Sequence, residues 1–160
     1  MAVLVTGGAG YIGSHMVLAL LDAGHDGVVV LDDLSTGFEW ALPPEVKLVV
    51  GDVSDQALVA ETIRANGIDA LAHFAARIVV PDSVADPLGY YLANTVKTRA
   101  LIETAVREGV RHVIYSSTAA AYGRPVRSTT GSASMSARSA TTGPPGWPSI
   151  RATTPVPATA

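Results

Sequence analysis

Short apolar runs alternate with longer segments of mixed polarity along most of the chain. The apolar runs predict strands at Val3–Thr6, Val28–Asp32, Lys47–Val50, Ala70–Phe74 and His112–Ser116. The segments between them space their apolar residues as helices do, and they predict helices at Ile12–Ala23, Gln56–Asn66 and Leu88–Glu108, with Gly109 ending the last helix. Strands that alternate with helices are typical of α/β proteins. We therefore expect an incomplete doubly wound parallel sheet of about five strands.

A glycine-rich segment connects the first predicted strand to the first predicted helix. Gly8, Gly10 and Gly13 have the spacing G-x-G-x-x-G, and Gly7 offers an alternative start to the pattern. Without side chains, such a turn lets a pyrophosphate approach the free N–H groups of the helix N-terminus. Asp32 ends the second strand about 20 residues further on, where a carboxylate binds the adenosine ribose in Rossmann dinucleotide sites. The alternative is that the glycines only form a tight turn.

The charges around the second strand favour one of the two nicotinamide dinucleotides. The first cationic side chain after the N-terminus is Lys47, so no Lys or Arg near Asp32 is available to hold a 2′-phosphate. Asp32 and Asp33 would repel that phosphate, whereas a carboxylate accepts hydrogen bonds from a free 2′-hydroxyl. The sequence therefore predicts NAD rather than NADP. For Asp33, an exposed loop acid is an equally good interpretation.

The overall composition excludes several other classes of function. The 160 residues include no cysteine, so we expect neither disulfides nor a thiolate metal site, and the four histidines are too scattered to predict any metal site. A net charge of −3 gives no basic surface for nucleic acid. Neither a signal peptide nor a membrane-spanning run is predicted, and a cytoplasmic location is expected.

The composition changes abruptly after Arg127. Residues 128–160 contain no Asp, Glu, Lys, Leu or Tyr and consist mostly of Ser, Thr, Ala, Gly and Pro. Such a segment has too few apolar residues to offset the entropy of ordering it. We predict an NAD-binding half at residues 1–127, followed by a disordered tail at residues 128–160. Our hypothesis is that the tail is an out-of-frame translation or belongs to a truncated pseudogene product.

Six stretches up to Arg127 resemble the extended short-chain dehydrogenase/reductase superfamily and, within it, the UDP-glucose 4-epimerase family. They are VTGGAGYIGSH (5–15), VVVLDDLSTG (28–37), GDVSD (51–55), HFAARIVVPDSV (73–84), DPLGYYLANTV (86–96) and VIYSSTAAAYG (113–123). The resemblance implies bound NAD, a nucleotide-sugar substrate (UDP-glucose or UDP-galactose) and a homodimer built from two helices per subunit. Only one of those helices, at Leu88–Glu108, is predicted here, and the family's substrate domain is missing, so dimerisation is doubtful.

The same resemblance assigns roles to particular residues. Backbone groups of Tyr11 and Ile12 would bind the pyrophosphate, Asp52 and Val53 would meet the adenine, and Thr118 would be the catalytic hydroxyl that hydrogen-bonds the substrate. The residues around the adenosine ribose and its phosphate would be Asp32, Asp33, Leu34, Ser35, Thr36 and Gly37. Those that leave the fourth strand beside the cofactor would be Phe74, Ala75, Ala76 and Arg77. The turn itself would be formed by Gly7, Gly10 and Gly13.

One part of the family pattern is absent. The family's base is a Tyr whose pKa is lowered by a Lys four residues later, and no Tyr-x-x-x-Lys occurs in the 160 residues. We therefore expect the chain to be inactive as it stands. The alternatives are a non-catalytic NAD-binding module, or a fragment of another nucleotide-sugar dehydratase or decarboxylase. Ala119 and Ala120 stand where dehydratases tend to carry an Asp-Glu pair, which weighs against a dehydratase.

Overall fold

The computed structural model describes residues 1–117 of the chain, and its centre is a five-stranded parallel sheet. The strands are β1 (Ala2–Thr6), β2 (Val28–Asp32), β3 (Lys47–Val50), β4 (Ile68–His73) and β5 (His112–Tyr115). The helices are α1 (Tyr11–Asp22), α2 (Gln56–Asn66), α3 (Val80–Ala85), α4 (Pro87–Tyr91) and α5 (Lys97–Arg107). The strand order is β3-β2-β1-β4-β5, and every neighbouring pair is parallel. The predicted α/β sheet is confirmed.

Both faces of the sheet are covered, which explains why its central strands are apolar throughout. Alternate residues of a strand point to opposite faces. One face packs against α1 through a cluster that includes Val5, Val17 and Val30. The other packs against α2 and α5 through a cluster that includes Ile63 and Leu101. Consequently all five residues of β2 are buried.

Local signals at the helix ends agree with the sequence patterns. The side chain of Asp55 caps α2 by accepting hydrogen bonds from the N–H groups of Ala57 and Leu58. Gly109 follows α5 with a φ of +78°, and the next N–H, of Val110, bonds to the carbonyl of Ala105 at 2.9 Å. This is the geometry of a Schellman motif, in which a left-handed glycine terminates the helix.

Two helical regions differ from the prediction. The segment predicted as one helix over Leu88–Glu108 is divided, because a π-helical turn over Leu92–Val96 separates α4 from α5. Helix α3 lies in a stretch that the sequence pattern left unassigned. Its Pro81 is tolerated because the first turn of a helix does not need that N–H group.

The strand order places a crevice at one point on the sheet. The chain builds outward from β1 through β2 to β3, then returns to the other side of β1 with β4. In open α/β sheets, ligands bind outside the carboxyl ends of the strands at such a reversal. The carboxyl ends of β1 and β4 are aligned, since Thr6 pairs with His73.

Candidate dinucleotide-binding site

The glycine-rich turn is packed tightly against the start of the chain segment after β4. Gly7 has a φ of +71°, and a Cβ there would lie 2.5 Å from the backbone nitrogen of Ala75. A Cβ on Gly13 would collide with the carbonyl oxygen of Gly7. These two glycines are therefore required by the turn itself, as the alternative interpretation of the motif held.

Gly10 differs, because the packing of the chain hardly requires it. Its φ of −80° is ordinary for any residue, and a Cβ would approach only the carbonyl oxygen of Gly7, at 3.3 Å. It stands at the N-cap of α1, where no side chain caps the helix. The following Tyr11 and Ile12 are exposed. The first N–H groups of a helix have no partner within it, so this end of α1 can receive an anion.

The carboxylate of Asp32 links β2 to the glycine-rich turn. One oxygen accepts the N–H of Ala9 at 2.9 Å and the other accepts the N–H of Leu34 at 2.9 Å. The residue is only 7% exposed, so these bonds fix its orientation at the edge of the crevice. Each carboxylate oxygen has two lone pairs, which leaves one on each for a further donor. Asp32 lies at the end of β2, as predicted, and it also holds the glycine-rich turn through Ala9.

The loop after β2 brings together the other residues predicted around the ribose. Asp33 is exposed and accepts hydrogen bonds from both the N–H and the hydroxyl of Ser35, at 3.0 and 2.6 Å. It thus satisfies a loop donor, and Thr36 beside it is exposed. Leu34 adopts a φ of +56°, a left-handed conformation that costs free energy for any residue with a Cβ. Gly37 is buried against Ala9.

Asp52 and Val53 follow β3, but their side chains have different surroundings. Val53 is buried in the core cluster that faces α2 and α5, so only its backbone is available to a ligand. One oxygen of Asp52 accepts the N–H and hydroxyl of Ser54 at 2.8 and 2.7 Å, and the other pairs with Lys97. Partial burial pushes the pKa of Asp52 upward, but Lys97 and Ser54 outweigh it and hold the pKa below its ordinary value.

The segment after β4 passes the glycine-rich turn and then turns outward. The N–H of Phe74 bonds to the carbonyl of Thr6 at 2.8 Å, which continues the β1–β4 pairing, and Ala75 lies against Gly7. Ala76 and Arg77 are exposed.

The side chain of Asn94, in the π-helical turn, fixes the backbone at Arg77. Its amide oxygen accepts the N–H of Arg77 and its amide nitrogen donates to the carbonyl of Arg77, both at 2.8 Å. The guanidinium group of Arg77 lies 4.7 Å from the centre of the Tyr90 ring and pairs with Asp86 at 3.3 Å. The guanidinium group of Arg77 is thus already paired with Asp86 and packed on Tyr90, so a ligand in the crevice would not be its only partner.

Beneath the crevice lies a buried imidazole whose partners the sequence pattern did not reveal. Nδ1 of His73 is 2.6 Å from the hydroxyl of Thr6, and Nε2 is 2.9 Å from the hydroxyl of Thr98. A neutral imidazole has one donor and one acceptor, and a hydroxyl can serve either. Burial lowers the pKa of His73 to about 4, so the ring is uncharged at neutral pH. It joins β1, β4 and α5 as a packed residue.

Three other sequence-based expectations concern residues from Thr118 onward, metal sites and membrane-spanning helices. Thr118, the predicted catalytic hydroxyl, lies outside the described residues, as do Ala119, Ala120 and the predicted tail. Within residues 1–117 no cluster of three or more His, Asp or Glu side chains is arranged to hold a metal ion. In the same range no helix has the length and apolar character needed to cross a membrane.

Lys97 and Thr98 were not among the predicted site residues. Lys97 meets Asp52 across 45 positions, and Thr98 meets His73 across 25 positions. No local pattern marks such contacts, because they depend on where α5 packs against the sheet. Asn94 meets Arg77 across 17 positions, and these backbone contacts also become visible only in the fold.

A parallel sheet with a glycine-rich turn, a free helix N-terminus and an acid ending the second strand defines a Rossmann-type dinucleotide-binding domain. A family model described as "NAD dependent epimerase/dehydratase family" matches residues 3–144. The chain therefore belongs to the NAD dependent epimerase/dehydratase family. The match continues into residues 128–144, the start of the segment whose composition predicts a tail.

The similar proteins described next are UDP-glucose 4-epimerases, which are one branch of that family. The chain is 50% identical over 123 residues to UDP-glucose 4-epimerase of Azospirillum brasilense, which covers 77% of this chain and 35% of the relative. UDP-glucose 4-epimerase from Brucella ovis, solved in complex with NAD, superposes with a TM-score of 0.73 at 42% identity, covering 79% of this chain and 38% of that one. The Bifidobacterium longum enzyme, solved with NAD+ and UDP, gives 0.72 at 38% identity, covering 77% and 38%. The chain thus spans less than half the length of these relatives.

Proposed function

We propose that this chain binds the adenosine and pyrophosphate portion of NAD, as the N-terminal part of a UDP-glucose 4-epimerase. The observation that carries the proposal is the combination of Gly10 and Asp32 at one crevice. Gly10 leaves space at the N-terminus of α1 and is restricted by packing only through the carbonyl oxygen of Gly7, 3.3 Å from where its Cβ would lie; Asp32 is held beside it by Ala9. The description of the family names NAD, and the relatives cited above are UDP-glucose 4-epimerases, one of them solved in complex with NAD. Both observations support the proposed cofactor and reaction class.

The proposed binding mode uses backbone groups for the phosphates and carboxylates for the adenosine. The N–H groups of Tyr11 and Ile12 would face the pyrophosphate, whose negative charge is favoured by the positive end of the α1 dipole. The free lone pairs of Asp32 would accept the ribose hydroxyls. A 2′-phosphate would meet Asp32 and Asp33 instead of a cation, which favours NAD over NADP.

The proposed reaction of the whole protein is the interconversion of UDP-glucose and UDP-galactose through a 4-keto intermediate. NAD, when bound, supplies a reversible hydride acceptor for the sugar. A base must also take the proton of the sugar 4-hydroxyl, and none of the five tyrosines in the 160 residues has a lysine four positions later. Since groups of this kind act as a unit, we propose that the 160-residue chain binds NAD without turnover. Thr118 remains the proposed substrate-side hydroxyl.

Calorimetric titration of the purified chain with NAD and NADP tests the proposal, followed by an assay for conversion of UDP-galactose. We expect saturable NAD binding, at least tenfold weaker NADP binding and no conversion. Absence of NAD binding would refute the proposed site. Measurable conversion would leave the site standing and refute the proposed inactivity.

A further inference from the structure

Lys97, the first residue of α5, brings a positive charge to an otherwise acidic part of the crevice. Asp32 ends β2 and Asp33 follows it, while Asp52 and Asp55 lie in the loop after β3. Residues 32–46 and 51–63 contain no Lys or Arg. The ammonium group of Lys97 pairs with Oδ2 of Asp52 from a different element. The side chains of Lys97 and Asp52 are 30% and 37% exposed, so the pair lies at the surface of the crevice.

Asp52 is the carboxylate after β3 that remains available to a ligand. Asp55 is already used to cap α2. On Asp52, Oδ1 accepts two hydrogen bonds from Ser54 while Oδ2 accepts one from Lys97. With contacts on both oxygens, the carboxylate cannot rotate freely. An ionised carboxylate has about four lone-pair positions, so one remains open, on the oxygen that Lys97 contacts.

We propose that Lys97 is a positioning residue for dinucleotide recognition, which fixes Asp52 so that its open lone pair accepts the exocyclic amine of adenine. The inference rests on the proposed binding of NAD at this crevice and adds a determinant of base selectivity. Lys97 acts through Asp52 and need not touch the dinucleotide. Its charge also offsets the repulsion between Asp52 and the pyrophosphate.

A pair of dinucleotides that differ at one group separates this role from a purely structural one. Nicotinamide hypoxanthine dinucleotide carries a carbonyl where NAD carries the adenine amine, so it has no donor at the position that we propose faces Asp52. We expect the wild-type chain to prefer NAD by about tenfold, the value of one hydrogen bond to a charged group. In Lys97→Met, the preference is expected to fall to about twofold or less, because Oδ2 of Asp52 loses the contact that orients it and only Ser54 still holds the carboxylate.

Three further variants complete the comparison. Lys97→Arg keeps the charge and is expected to restore most of the preference. Lys47→Met is the matched control, since Lys47 lies at the opposite end of β3, where it bonds to Asn66, and it should keep the full preference. Where Lys97→Met proves unstable by circular dichroism, the shorter neutral side chain of Lys97→Gln is expected to lose the preference in the same way.

The outcomes distinguish this inference from the proposed function. If Lys97→Met weakened the binding of both dinucleotides equally, Lys97 would have a structural role only, and the inference would be overturned. Wild-type binding of NAD without any preference over the hypoxanthine analogue would also overturn it, while leaving the proposed function intact. Binding of neither dinucleotide by the wild-type chain would refute both.

Discussion

The buried imidazole of His73 makes the stability of the domain depend on pH between about 4 and 6.5. Its pKa is about 4 in the folded chain and about 6.5 in an unfolded one. Between those values the unfolded chain binds a proton that the folded chain does not. The free energy of unfolding therefore falls as the pH is lowered from 6.5 to 4, and below pH 4 His73 contributes no further loss.

The size of the effect follows from the difference between the two pKa values. The difference between a pKa of about 6.5 and one of about 4 corresponds to about 3.4 kcal/mol, of which about 2 kcal/mol is lost between pH 7 and pH 5. The carboxylates with lowered pKa values, Asp52, Asp69 and Glu108, lose their stabilising contribution only at still lower pH. Of these four groups, His73 is therefore the one that most changes the free energy of unfolding between pH 7 and pH 5.

Urea unfolding followed by circular dichroism at pH 7, 6 and 5 measures this directly. In His73→Gln, which has no titrating ring, the fall of about 2 kcal/mol should disappear, although the variant is less stable at pH 7 by about 1–3 kcal/mol because the bonds to Thr6 and Thr98 change. His112→Gln, at the exposed start of β5, is the matched control and should retain the wild-type pH dependence. An unchanged pH dependence in His73→Gln would refute the reasoning.

Three further variants test the turn and a helix cap. Gly13→Ala forces a Cβ into the carbonyl of Gly7 and should lower the free energy of unfolding by about 1–3 kcal/mol, whereas Gly10→Ala, whose Cβ would meet that carbonyl oxygen only at 3.3 Å, should lower it less and instead weaken NAD binding at least tenfold in calorimetry. If Gly10→Ala mainly lowered the stability and Gly13→Ala mainly weakened NAD binding, the roles proposed for these two glycines would be contradicted. Asp55→Ala removes the α2 cap and should cost about 1 kcal/mol by urea unfolding, and no loss would show that the cap contributes nothing.

Much of the domain could be predicted because its signals are local. The runs at Val28–Asp32 and Lys47–Val50 become strands with the predicted bounds, and Gln56–Asn66 becomes α2 as predicted. The division of the helix over Leu88–Glu108 was missed, since its amphipathic pattern continues through the π-helical turn. Val53 illustrates a second limit, because adjacency to Asp52 in the motif does not reveal which side chain faces the core.

By itself, the sequence determined the alternation of strands and helices, the glycine turn and the acid at the end of β2, because hydrophobic periodicity and backbone sterics act over a few residues. Only the tertiary structure decided that Asp32 also holds the turn through Ala9, that His73 is satisfied by Thr6 and Thr98, and that Lys97 meets Asp52. These partners lie 23 to 67 positions apart. Such contacts arise from the order of the strands and the packing of α5, which bring together side chains that no local pattern relates.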